Sequence, residues 1–217
     1  MTTMNIKAKS AIFAFFDELF PNAGCELNYS KDYEIVLAVM LSAQTTDKSV
    51  NQVTALLFSH FPSLESLAKA PISAIEQDIH SIGLYKHKAA NVQGIARKLL
   101  SDFSGIVPSE KEALLMLPGV GTKTANVIRA ELFKIPEIAV DTHVERVSKR
   151  LGFALKKDKV AVVEAKLRKA VPVSRYIKTH HQMIHFGRYF CKAVKPNCKE
   201  CHLREYCNEK GRFTGLI

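Results

Sequence analysis

Leu117-Pro118-Gly119-Val120-Gly121-Thr122-Lys123-Thr124-Ala125-Asn126 is the stretch that decides how this chain folds. It follows an apolar turn, Ala113 to Leu117, and precedes Ala125, Ile128 and Leu132 at helical spacing, so it joins two helices tightly. Two glycines around one apolar residue permit positive φ and leave the backbone bare of side chains. N–H groups at such a place can approach an anion closely, aided by the N-terminus of the following helix. An ordinary helix–helix turn uses the same residue types, and Gly-x-Gly alone leaves both readings open.

Working outward, helical periodicity dominates. Ile12, Phe15, Phe16 and Leu19 share one face of a first helix, and Val50, Val53, Leu56 and Leu57 share one face of a third. Between them Ile35 to Leu41 is apolar all round, which predicts a buried central helix. Lys88 to Leu100 carries Ala89, Val92, Ile95 and Leu99 at helical spacing, while Pro62, Pro71, Gly83, Gly105 and Pro108 punctuate short connections. No alternating strand pattern, repeat or low-complexity tract interrupts this, so the chain reads as all-α.

The 217 residues suffice for one large domain or two small ones, and 47% hydrophobic with 24% charged residues is an ordinary globular composition. Thirty-one Lys and Arg against 21 acidic residues give a formal net charge of +10. That excess points to a polyanion, with nucleic acid first and plain solubility as the alternative. The apolar stretch Ala11 to Phe20 is interrupted by Asp17 and Glu18, and Ile35 to Leu41 is far short of the ~20 residues that cross a bilayer. The expectation is an intracellular, soluble protein, which makes disulfides among the five cysteines unexpected.

Cys191, Cys198, Cys201 and Cys207 are separated by six, two and five residues and together ask for a metal. Spacing alone leaves Zn and a 4Fe-4S cluster open, since both accept four thiolates. Cys25 lies elsewhere and reads as a buried thiol. Val140-Asp141-Thr142-His143 ends an apolar run in a carboxylate followed by Val144, Val147 and Leu151 at helical spacing, so Asp141 is a candidate N-cap. His143, near a helix start, reads as structural.

Leu117 to Asn126 resembles the helix-hairpin-helix of the endonuclease III family of DNA glycosylases. The stretch around Asp141 resembles the segment that supplies that family's catalytic Asp, and the cysteine spacing is similar to its 4Fe-4S signature. The resemblance runs from about Tyr33 to Cys207 with these segments in order. It implies a six-helix barrel domain over residues 26–135 and a cluster domain from residues 1–25 plus 136–217, flanking a cleft.

The same resemblance implies a bifunctional enzyme of base-excision repair that removes oxidised pyrimidines and cleaves the strand 3′ to the abasic site. Lys123 would be the nucleophile. A lysine in the first turn of a helix sits at the positive end of the macrodipole, which favours its neutral amine, the form that attacks carbon. Asp141 would stabilise the developing oxocarbenium ion. Gly119, Val120 and Gly121 would hold a DNA phosphate, with Lys192 and Lys195 adding positive charge beside the cluster. A flipped base leaves a gap, and Gln44 and Leu84 match the residues that fill it in the family. Asp47 would line the lesion pocket or cap a helix.

Implied partners are duplex DNA with damaged pyrimidines or abasic sites, met by a monomer in the cytoplasm near the nucleoid. Thr122 departs from relatives that carry a basic residue there. An adenine-removing glycosylase is the nearer rival and Lys123 argues against it; Lys123 with Asp141 argues against a non-catalytic DNA-binding module.

Overall fold

The computed structural model describes residues 5–209, and among them there are helices, turns and no strand. The chain divides into two compact units, one holding the chain through Cys25 and from Pro136 onward, the other Glu26–Ile135.

The continuous unit contains α2 (Asp32–Leu41), α3 (Asp47–His60), α4 (Leu64–Lys69), α5 (Ile72–Ile79), α6 (Tyr85–Phe103), α7 (Lys111–Leu115) and α8 (Thr122–Phe133). Of these segments α4 and α7 are the shortest, with six and five residues. Every residue of α2 from Tyr33 to Leu41 is buried, and the helix packs against α3, α6 and α8, as expected of a stretch apolar on all sides. The periodicity of α3 holds at Val50, Val53 and Leu57, but Leu56 is exposed and Thr54 is buried in its place. Thr54 can be buried because its hydroxyl donates to the Val50 carbonyl within its own helix. Thr46, not Asp47, caps α3: its hydroxyl accepts from the Ser49 amide at 3.2 Å, leaving Asp47 as the first helical residue. Helix α6 begins at Tyr85 and runs to Phe103, longer at both ends than its apolar stripe indicates.

In the discontinuous unit, α1 (Ile6–Leu19), α9 (Thr142–Arg150), α10 (Val160–Ala170) and α11 (Tyr176–His185) surround a core that includes Ile12, Phe16, Val144, Val147, Leu167, Met183 and Phe186. A π-helical turn, Phe186–Phe190, continues α11, and short 3-10 turns span Val173–Arg175 and Arg204–Tyr206. Phe186 is fully buried, with ring centroids 5.1 Å from Phe16 and 5.2 Å from Phe190. Burying such a side chain contributes about 1.5–3 kcal/mol. Among the described residues no helix is long and apolar enough to cross a membrane.

Candidate functional site

The hairpin takes its shape from its own residues. Val120 N donates to Leu117 O at 3.1 Å, with Pro118 and Gly119 at the turn's two central positions and Gly119 at φ +73°. That is a type II turn, in which Pro presets the first corner and Gly supplies the left-handed second. A Cβ on Gly119 would lie 2.4 Å from Asn91 Nδ2 and 3.2 Å from Met40 Cγ. Val120 is buried, so only its backbone is left for a ligand.

Gly121 differs. It caps α8 in an extended conformation, φ −94°, and an added Cβ would meet nothing within 4 Å. Neither conformation nor packing requires a glycine there, and α8 has no side-chain N-cap to occupy its first-turn N–H groups. Lys123 is the second residue of α8 and is exposed.

Helix α6 organises three exposed tips of this unit. Leu84 is its N-cap, with φ +59° and 61% of its surface exposed. One turn on, Lys88 is only 5% exposed, and its Nζ donates to Ala43 O at 2.8 Å and to Thr45 Oγ1 at 2.7 Å. Those atoms bracket Gln44, which is exposed at φ +55°. Asn91 backs Gly119, and Gly94 leaves room for Pro118, whose Cγ would lie 3.0 Å from an added Cβ. Positions 84, 88, 91 and 94 are a helical stripe. The sequence singles out Gln44 and Leu84 as candidates and gives Lys88, Asn91 and Gly94 no prominence; their only signals are a lysine, an asparagine and a glycine inside an apolar helical pattern. Left-handed backbone at a residue with a side chain costs about 1–3 kcal/mol and persists only where its surroundings impose it.

In the other unit Asp141 caps α9, its Oδ1 accepting from Val144 N at 2.7 Å, and the side chain is half-buried. Burial pushes the His143 imidazole below its ordinary value, with Arg146 and Arg188 adding to the shift against Asp141. Arg146 Nη2 donates to Gly187 O at 2.7 Å, and a Cβ on Gly187 would lie 2.9 Å from His143 Cβ. His143 and Arg146 thus seat the π-helical turn that leads into Cys191. Lys123 and Asp141 belong to different units.

All four cysteines of the predicted set line one cavity, with Arg150, Leu151, Phe186, Pro196, Arg204 and Glu209. Cys25 is half-buried rather than buried and is not among its lining residues. Arg150, 4% exposed, reaches from α9 into the cysteine segment. Its Nη1 donates to Lys192 O at 2.8 Å and to Cys191 Sγ at 3.3 Å, and its Nε pairs with Glu209 at 2.9 Å. The Glu209 amide donates to Cys207 Sγ at 3.4 Å. Lys192 and Lys195 are exposed on the loop between the first two cysteines, and Lys195 is left-handed at φ +52°.

The family model described as HhH-GPD superfamily base excision DNA repair protein matches residues 37–173. Endonuclease III of Bacillus subtilis is 47% identical over 216 residues, 99% of each chain. The Escherichia coli K12 enzyme of the same name is 42% identical over 95% of this chain and 98% of its own. The chain belongs to the endonuclease III family. A solved non-covalent endonuclease III–DNA complex superposes with a TM-score of 0.92 at 44% identity, covering 97% of this chain and 98% of that one. A trapped endonuclease III–DNA covalent intermediate gives 0.90 at 45%, covering 98% and 99%.

Burial raises all four thiols above their ordinary value, Cys201 to about 11, and the other cysteines push the same way at Cys201. Four thiols in one cavity cannot readily all ionise without a cation among them, and a bound metal inverts that preference. No three of them stand close enough to form a ready metal-binding group among the described residues. Donors to sulfur from Arg150 and the Glu209 amide are what thiolate ligands of an iron-sulfur cluster use. In residue type, though not in the spacing of these thiols, the set therefore suits such a group.

Proposed function

We propose that this chain is a bifunctional DNA glycosylase and abasic-site lyase that removes oxidised pyrimidines from duplex DNA and cuts the strand 3′ to the lesion. The observation that carries the reading is Lys123 on the first turn of α8, directly after a glycine-lined turn whose bare N–H groups suit a phosphate. With +10 of formal charge, the chain suits a polyanion. The high identity to enzymes named endonuclease III, one of them caught in a covalent DNA intermediate, supports the same reading.

The turn at Gly119 to Gly121 fixes one backbone phosphate. Gln44 and Leu84 fill the space left in the duplex as the damaged nucleotide turns outward. Lys123 Nζ attacks C1′ while the bond from C1′ to the base breaks, and the departing base takes up a proton. Asp141 stabilises positive charge on the sugar as that bond lengthens. The amine loses a proton and the ring oxygen gains one as the sugar opens to an imine. Loss of a C2′ proton then expels the 3′ phosphate, which cleaves the strand, and water returns Lys123.

Cys191, Cys198, Cys201 and Cys207 would hold a 4Fe-4S cluster in the segment that Arg150 ties to α9, with Lys192 and Lys195 contacting DNA phosphate nearby. When bound, the cluster supplies structural cross-linking of four thiolates. The protein works as a monomer in the cytoplasm. Lys123→Gln tests the assignment on a duplex with one oxidised thymine: strand scission is lost while duplex binding persists. Scission at the wild-type rate would remove Lys123 from the mechanism.

A further inference from the structure

We infer that Lys88 is a positioning residue for opening the duplex: its buried head clamps both sides of Gln44 and ties that turn to the helix that presents Leu84. The inference rests on the proposed gap-filling role of Gln44 and Leu84.

A surface lysine normally lays its stem on apolar neighbours and keeps its ammonium in water. Lys88 buries its ammonium as well as its stem. It is 5% exposed on a helix whose neighbouring buried positions are Ala89, Val92 and Ile95, and its head bonds to the Ala43 carbonyl and the Thr45 hydroxyl. Burying a cation among apolar side chains opposes folding unless hydrogen bonds compensate it. Stability alone would be served by an apolar residue at this position. What the lysine adds is specific: its two acceptors are contributed by the residues immediately before and after Gln44, which is held at φ +55°.

Leu84 stands one turn away on the same helix, and Lys88 N donates to Leu84 O at 3.0 Å. The two left-handed residues at 44 and 84 are therefore linked through one side chain and one backbone hydrogen bond. Removing the clamp frees Gln44 to rotate away, so that duplex opening must order the turn again at each encounter. A substrate with no second strand has no gap to fill and escapes that cost.

The measurement is the ratio of borohydride trapping on duplex to trapping on single-stranded DNA, each with one abasic site, using the intact protein. Lys88→Met, which keeps the stem, lowers the ratio about tenfold, or ~1.4 kcal/mol. Lys88→Arg, which keeps a donor, recovers most of it. Thr45→Val, which removes one acceptor and leaves Lys88 in place, lowers the ratio in the same direction and by less. The Lys88→Met/Gln44→Ala double variant is no worse than Gln44→Ala, because both changes remove one interaction. A wild-type ratio in Lys88→Met and Thr45→Val beside a reduced one in Gln44→Ala overturns the inference and leaves the role of Gln44 standing. A wild-type ratio in Gln44→Ala overturns the gap-filling reading itself. Equal loss on both substrates, or additive losses in the double variant, would make Lys88 a general stability element and overturn the positioning role.

Discussion

Alanine at Gly119 and at Gly121 should separate folding from DNA binding within one turn. At Gly119 the added Cβ imposes a left-handed alanine, φ +73°, at about 1–2 kcal/mol. It also arrives 2.4 Å from the Asn91 amide and 3.2 Å from Met40. Asn91 can swing only by giving up its place against the turn, and overpacking of this kind costs about 1–3 kcal/mol. The sum is roughly 2–5 kcal/mol, a fall in melting temperature of about 4–20 °C for a chain of this size. At Gly121 the conformation suits any residue and nothing lies within 4 Å. A weaker N-cap, about 0.5–1 kcal/mol, is largely offset by the less flexible unfolded chain. Gly121→Ala therefore melts within ~2 °C of wild type. Its methyl, however, stands where a phosphate would approach the first-turn amides, and one charge-assisted hydrogen bond is worth about 1.5–3 kcal/mol. Affinity for a duplex with a non-cleavable abasic analogue, read by fluorescence anisotropy, falls roughly 10- to 100-fold. Wild-type affinity in Gly121→Ala, or melting as poor as that of Gly119→Ala, would refute the division of labour between the two glycines.

Asp141→Asn keeps the cap on Val144, since Asn caps as well as Asp, and melts within about 0.5 kcal/mol of wild type while base release slows strongly. Asp141→Ala loses both; single-turnover base release beside thermal melts separates them. Replacing Lys192 and Lys195 together by Ala lowers the slope of log affinity against log salt by about two, measured by titration from low to moderate salt. The Arg175 guanidinium, with Lys178 and Gln182, holds the Asp17 carboxyl well below the usual carboxylate range. The unfolded chain thus takes up that proton first, so the stability is complete above pH ~4 and is lost as pH falls below it. Asp17 is partly exposed, so the contribution is at most about 1 kcal/mol. Acid titration by circular dichroism should show a shallower loss in Asp17→Asn, and an unchanged acid limb would refute the linkage.

Helix positions were legible in the sequence wherever a face is apolar: α1, α2 and α3 follow directly from Ile12, Ile35 to Leu41, and Val50. Leu56 and Thr54 exchanged places because a threonine satisfies its own hydroxyl inside the helix, which no apolar count registers. The hairpin could be read because Pro118 and Gly119 are the residues a type II turn demands. Lys88 and Asn91 were not legible, because their roles depend on loops more than 20 residues away meeting one stripe of α6. Similarly, Arg150 looks like a surface cation at the end of α9, and only the folded chain brings the cysteine segment to it. The left-handed backbone at Gln44, Leu84 and Lys195 has no sequence signature, since none is a glycine.

The most direct test of the central claim is to reduce the complex with an abasic duplex by borohydride, digest it and locate the modified residue by mass spectrometry. The account predicts a deoxyribose adduct on Nζ of Lys123 and none in Lys123→Gln. An adduct on another amine at comparable yield in that variant, or strand cleavage without any adduct, would contradict it.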